Sequence, residues 1–211
     1  MRFVLVVATL VGGVPFLLGQ PPGNSSTAQE GQLLPSPFRV YAVTGSRPQF
    51  MHDFVTERGL RPTVAVFALQ VPPNPQAPLA VLLQKLNAAV AAHQGAQLGA
   101  FAVFLTLERD FYEDPQRIRR VAELEGLNKQ LSLTALPLGL AHADTAPVKQ
   151  YAIVTRDDPV NMVRKHQVTV LVYDKHRVVK RFTFTEDKPL TEDGIQQIFA
   201  AVEKMLGVNK P

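Results

Sequence analysis

Between residues 38 and 206 the chain alternates short, continuous apolar runs with longer stretches in which apolar residues recur every three or four positions. The first kind suits strands buried on both faces, and the second suits helices with one face on a core. Strands are expected at 38–43, 63–69 (TVAVFAL), 100–107 (AFAVFLTL), 168–173 and 178–184, and an extended run at 131–138. A helix over 47–58 carries Phe50, Met51, Phe54 and Val55 and stops at Gly59. A second opens at Pro78, where the first turn tolerates proline, carries Leu79, Leu82, Leu83, Leu86 and Val90, and ends near Gly95. A third opens at Asp114-Pro115 with Ile118, Val121, Ala122 and Leu124 on one face. Thr191 caps the last, with Glu192 and Asp193 in its first turn and a stripe from Ile195 to Leu206 ending at Gly207. Asp174-Lys175-His176-Arg177 has the length of a hairpin turn, and 150–155 (QYAIVT) is a candidate extra strand.

Strands fed by crossover helices imply an α/β sheet with a parallel part. The N-terminus breaks this pattern. Met1-Arg2, an apolar stretch to Leu18 and Gly19-Gln20 have the layout of a secretory signal over 1–20, which implies a periplasmic or secreted protein. A membrane contact is expected only if that segment stays uncleaved as an anchor. Residues 21–37, rich in Pro, Ser, Gly and Gln without apolar period, read as a disordered linker, leaving one domain over 38–208. The sequon at Asn24 lies in that linker and carries no weight.

Composition changes the picture mainly through what is missing. The 211 residues contain no cysteine, so thiolate nucleophiles, disulfides, thiolate metal sites and cysteine lipidation are all excluded. A formal charge of +4 is spread along the chain. The densest basic groups, Arg117, Arg119, Arg120 and Arg177, Lys180, Arg181, read as solvated faces, and no nucleic-acid partner is expected. The histidines His93, His142, His166 and His176 are scattered without metal-ligand spacing, and no cofactor is expected. His52-Asp53 reads as a capping or surface pair, and Glu113-Asp114-Pro115 and Asp157-Asp158-Pro159 read as turn and helix starts.

The order of elements, together with Val66-Phe67-Ala68-Leu69-Gln70 running into Val71-Pro72-Pro73-Asn74 and the apolar run from Val168 to Tyr173, resembles the thioredoxin-like fold. The stretch holding Thr44-Gly45, His52-Asp53, Gly59-Leu60 and Arg61-Pro62 is also similar to secreted bacterial thioredoxin-like proteins of undefined activity. The resemblance implies a thioredoxin-like three-layer α/β/α sandwich with a mixed central sheet. It implies that non-cysteine residues occupy both redox positions after the second strand, and that Val168 stands where the family carries its cis-proline. It also implies a location for function: Gln70, Val71, Pro72, Pro73 and Asn74 should meet His166, Gln167 and Val168 at one edge, which in active relatives holds an extended peptide by main-chain hydrogen bonds.

Two functions are consistent with this. The first is an exported, non-catalytic binding or scaffold module for an unidentified protein or peptide. The alternative is a cysteine-independent enzyme in the same cleft, for instance transferase-like chemistry on a small thiol through a hydroxyl of Tyr41, Thr44, Ser46 or Tyr151. The oligomeric state is not legible in the sequence.

Overall fold

The computed structural model describes residues 28–108, 115–143, 145, 148, 150–151 and 166–208. Among these, seven strands form one mixed sheet: β1 (Val40–Ala42), β2 (Met51–His52), β3 (Thr63–Ala68), β4 (Gly99–Thr106), β5 (Leu138–His142), β6 (His166–Asp174) and β7 (Arg177–Thr185). Their spatial order is β2-β1-β5-β4-β3-β6-β7. The helices are α1 (Phe54–Arg58), α2 (Pro78–Ala92), α3 (Gln116–Leu131) and α4 (Glu192–Leu206).

β3 and β4 are the centre of the sheet and are buried at every position, as their unbroken apolar runs require. They pair in parallel from Thr63 with Gly99 to Ala68 with Phe104, and β5 extends the parallel set beyond β4. Side chains alternate across the sheet. Val64, Val66 and Ala68 face one core with Ala100, Ala102 and Phe104, while Ala65 and Phe67 face the other with Phe101, Val103 and Leu105. Because β3, β4 and β5 step in one direction, the right-handed rule puts both crossover helices on the same face. α2 and α3 do share that face, joined by α4, all burying leucine or isoleucine stripes in the first core. The opposite layer is built from α1, Val148, Tyr151 and the segment from Ala28 to Phe38.

Four expectations need correction. The first helix does not run over 47–58: Phe54–Arg58 alone is helical and Met51–His52 is a strand paired with β1. Backbone groups around Gln49 and Phe50 are taken by Ala42, and Asp53 starts the helix by accepting from the N–H groups of Val55 (2.9 Å) and Thr56 (3.1 Å). The run 131–138 is not one extended segment. α3 continues to Leu131, Ser132 caps it in a left-handed conformation (φ 53°), and the strand begins only at Leu138. α3 buries Leu124, Leu127 and Leu131, while Ile118 is 59% exposed, because only the C-terminal turns cover the sheet.

The fourth concerns the linker. From Ala28 onward the segment expected to be disordered is held to the edge of the sheet. Gly31 N–H donates to Val178 C=O, Val178 N–H to Gln32 C=O, and Leu34 N–H to His176 C=O, which covers one end of edge strand β7. The remainder, 21–27, the signal at 1–20 and the sequon at Asn24 lie outside the described residues, as do Glu113 and Asp114 and the whole of Asp157-Asp158-Pro159. The candidate strand at 150–155 also falls there beyond Tyr151, which is helical. No helix among the described residues is long and apolar enough to cross a membrane.

The hairpin between β6 and β7 turns on Lys175 and His176, both at positive φ (49° and 59°), the geometry that matches strand twist in a two-residue loop. Thr191 caps α4 as expected, its hydroxyl oxygen accepting from Gly194 N–H.

Candidate functional site

β3 runs out at Ala68, and its C-terminal end faces the start of β6. The ladder between them closes with Phe67 opposite Thr169 and Ala68 opposite Val168. β6 nevertheless begins two residues earlier, where His166 pairs with Thr185 of β7. His166 is therefore paired with β7 and with no residue of β3, Gln167 falls in an irregularity of that ladder, and the chain leaving β3 at Leu69 is the other side of the candidate mouth.

The sequence-derived residues divide into three kinds at this mouth. Gln70, Pro73 and Asn74 are exposed, Val71 is half-buried against the first core, and Pro72 is buried. Asn74 is a turn former: its side-chain oxygen accepts from Gln76 N–H (3.0 Å) and its carbonyl from Ala77 N–H (3.2 Å), which sets the entry to α2. Val168 is 7% exposed, and its side chain belongs to the first core. His166 and Gln167 are placed by the backbone of β6. From Leu69 to Ala77 no residue carries an ionisable side chain, so this wall offers amide, pyrrolidine and main-chain groups.

The hydroxyls named for transferase-like chemistry do not gather. The Tyr151 hydroxyl is buried in the second core and donates to Pro35 C=O (2.7 Å), and burial raises its pKa far above the usual phenol value. Tyr41 lies on the other face of the sheet, under the guanidinium of Arg117 at 5.3 Å. Thr44 and Ser46 sit together, but at the opposite end of the strands from the mouth, where the Thr44 hydroxyl oxygen accepts from Leu138 N–H (2.9 Å).

That opposite end holds a polar cluster the sequence did not reveal. Ser46 Oγ donates to Glu57 Oε1 (2.7 Å), and His52 Nε2 lies 2.9 Å from Glu57 Oε2. Burial alone would raise the Glu57 pKa, but the Ser46 hydroxyl, the His52 ring and the nearby Arg58 outweigh it and hold the carboxyl below its ordinary value. The carboxylate stands between serine and histidine, so His52 does not reach the serine hydroxyl and the group is not a nucleophilic triad. Among the described residues no three His, Asp or Glu side chains group closely enough to hold a metal ion.

The basic residues of β7 also have specific work. The guanidinium of Arg177 donates to Gly31 C=O, Lys180 pairs with Glu30 (2.9 Å), and Arg181 donates to the carbonyls of Ala28 (2.6 Å) and Tyr151 (3.4 Å). Burial lowers the pKa of Arg181 to about 10, which leaves it charged at neutral pH. The solvated face expected from the sequence is instead the clamp that holds residues 28–37.

The helix and strand order, the central position of β3 and the antiparallel β6-β7 pair followed by α4 make this a thioredoxin-like fold, here without any cysteine. No protein-family model matches the sequence, and no curated protein is similar to it in sequence. Solved structures with similar folds include an uncharacterised conserved protein from Geobacillus kaustophilus (13% identity, 85% of this chain and 83% of that one, TM-score 0.52). A hypothetical protein from Sinorhizobium meliloti matches equally (13% identity, 85% and 86% covered, TM-score 0.51). A putative thiol:disulfide interchange protein DsbE from Chlorobium tepidum matches at TM-score 0.46 with 15% identity, over 83% of this chain and 99% of that one. At these identities the likeness concerns the fold alone.

Proposed function

We propose that this protein is an exported, non-catalytic thioredoxin-like module that holds an extended segment of a protein or peptide in the mouth between 69–74 and 166–168. The observation that carries the reading is the early end of the β3-β6 ladder: β6 continues to His166 against β7, while among the described residues no strand pairs with its other side there. A chain added there gains main-chain hydrogen bonds, and Gln70, Pro73 and Asn74 are exposed beside it. The chemistry of the mouth supports binding over turnover. No cysteine exists to attack a disulfide or peroxide, and the wall from Leu69 to Ala77 holds no acid, base or nucleophile. Export rests on the signal-like layout of residues 1–20.

The test is selection of linear peptides from a displayed library on the full chain, followed by anisotropy titration of a selected peptide. Gln70→Trp, which places an indole at the rim, should weaken binding about tenfold or more, and Ser46→Ala at the far end of the strands should leave it unchanged. Selected peptides that ignore the Gln70 change, or a library that yields none, would contradict the proposal.

A further inference from the structure

Residues 28–34 form an arm bound along β7. Leu33 bridges to Arg177 in antiparallel sense, between the hydrogen bond from Val178 N–H to Gln32 C=O and that from Leu34 N–H to His176 C=O. Lys180 pairs with Glu30, and Arg177 and Arg181 donate to the carbonyls of Gly31 and Ala28. Three cations of one strand thus hold the main chain and the single carboxylate of the arm. The edge of β7 is a receptor for an extended segment of this sequence.

Little apolar burial backs these links. Gln29, Glu30, Gly31, Gln32 and Leu33 are exposed, and only Ala28 and Leu34 reach the second core. The Lys180-Glu30 pair is half in solvent, where an ion pair contributes about 1 kcal/mol or less. The arm can therefore part from β7 while the sheet stays closed, the local opening expected of a segment with few core contacts.

The pivot is also defined. From Ala28 to Leu34 the chain runs toward the β6-β7 turn, from beside Arg181 to beside His176. It then turns back from that end to Phe38, whose ring packs on Phe67 at 5.9 Å. The Tyr151 hydroxyl holds Pro35 by its carbonyl (2.7 Å), so the reversal falls at Leu34-Pro35. A residue before proline is confined to extended backbone and the proline ring fixes the next φ, so this joint favours an arm that continues outward over one that folds back. An outward arm offers a second copy the segment that β7 already fits.

We infer that this edge is a self-association site, at which two copies exchange arms so that 28–34 of each lies on β7 of the other. The contacts are the same in both arrangements, so the balance is set by the joint and by concentration. The exchange does not involve the mouth between 69–74 and 166–168.

The lack of native cysteine gives a direct test. Leu33 and Arg177 form a non-hydrogen-bonded pair, whose Cα atoms lie about 4.5 Å apart, within disulfide reach. Full-length Leu33→Cys and Arg177→Cys chains are mixed at high concentration and oxidised, and the linked peptides are identified by mass spectrometry. Each chain carries one thiol, so a 33–177 link reports the arm of one copy on β7 of another. Its yield should exceed by about tenfold or more that of Phe50→Cys with Arg177→Cys, because Phe50 is comparably exposed (69% against 63% for Leu33) but lies beside β2 at the far edge of the sheet. Adding Pro35→Gly, which frees the joint to fold back, should lower the 33–177 yield by about threefold or more. In the Leu33→Cys/Arg177→Cys double variant, dilution should move the link from between chains to within one. A 33–177 yield no greater than that of the control pair would overturn the exchange, as would a yield that ignores Pro35→Gly. A double variant that links neither between chains nor within one would overturn the receptor edge itself.

Discussion

At the scale of single residues, small changes in space and charge decide how this chain packs. Gly139 in β5 faces α1, and a Cβ there would lie 2.9 Å from the ring of Phe54 and 3.0 Å from Val40 Cγ2. Both neighbours are buried and neither can swing aside into solvent. Gly139→Ala should therefore destabilise the fold by about 1–3 kcal/mol in urea denaturation, the usual cost of overpacking. The Ser46-Glu57-His52 cluster makes a second residue-level prediction. A carboxyl whose pKa is lowered by folding stabilises the native state at neutral pH. It loses that contribution as the pH falls through its folded value, below the ordinary 4.5. Ser46→Ala removes one of the groups that hold the carboxyl down, so the Glu57 titration followed by NMR should move upward. The stability difference between wild type and variant should be present at pH 7 and shrink as Glu57 is protonated. A Glu57 titration unaltered by the change would show that the serine does not act on it.

At the scale of elements, the sequence was most informative where a segment is buried on both sides. β3 and β4 read correctly because their runs are apolar apart from the buried threonines Thr63 and Thr106 near their ends. α4 read correctly because its cap, first-turn acids and apolar stripe all agree. Residues 47–58 were misread because Phe50 and Met51 fit a helical period, while the competing event, pairing of Met51 with Tyr41, involves another segment. The linker was misread for the same reason at longer range. Its composition lacks a core-forming pattern, but the groups that bind it, Arg177 and Arg181, lie 146 and 153 residues from their acceptors. That clamp is testable as an element. Arg181→Ala should raise hydrogen-exchange rates at Gly31 and Leu34, whose N–H groups bond to Val178 and His176, while amides of β3 and β4 stay protected. Unchanged exchange at Gly31 and Leu34 would mean that the strand pairing alone holds the segment.

At the scale of the whole molecule, the thioredoxin-like plan was legible because its parts follow one another along the chain, and so was the place where β3 meets β6. The placement of α2, α3 and α4 on one face was not, since it depends on β5 extending the sheet beyond β4, and β5 was set too early in the sequence. The groove at the opposite end of the strands was invisible for a related reason. Thr44, Arg58, Asn128 and Pro137 belong to four separate stretches, and only the closed sheet brings them together. The two ends of the parallel strands therefore differ in character. The loop at 69–77 carries no ionisable side chain, and the other end holds Glu57 and Arg58 together.

The account depends most on the mouth, and backbone hydrogen exchange of the full chain with and without a selected peptide reads it directly. Binding should slow exchange at 166–168 and in the loop at 69–71, with the amides of 44–46 and 133–136 unaffected. Protection that appears elsewhere and spares 166–168 would contradict the proposal that an extended segment pairs with β6 beyond the end of β3.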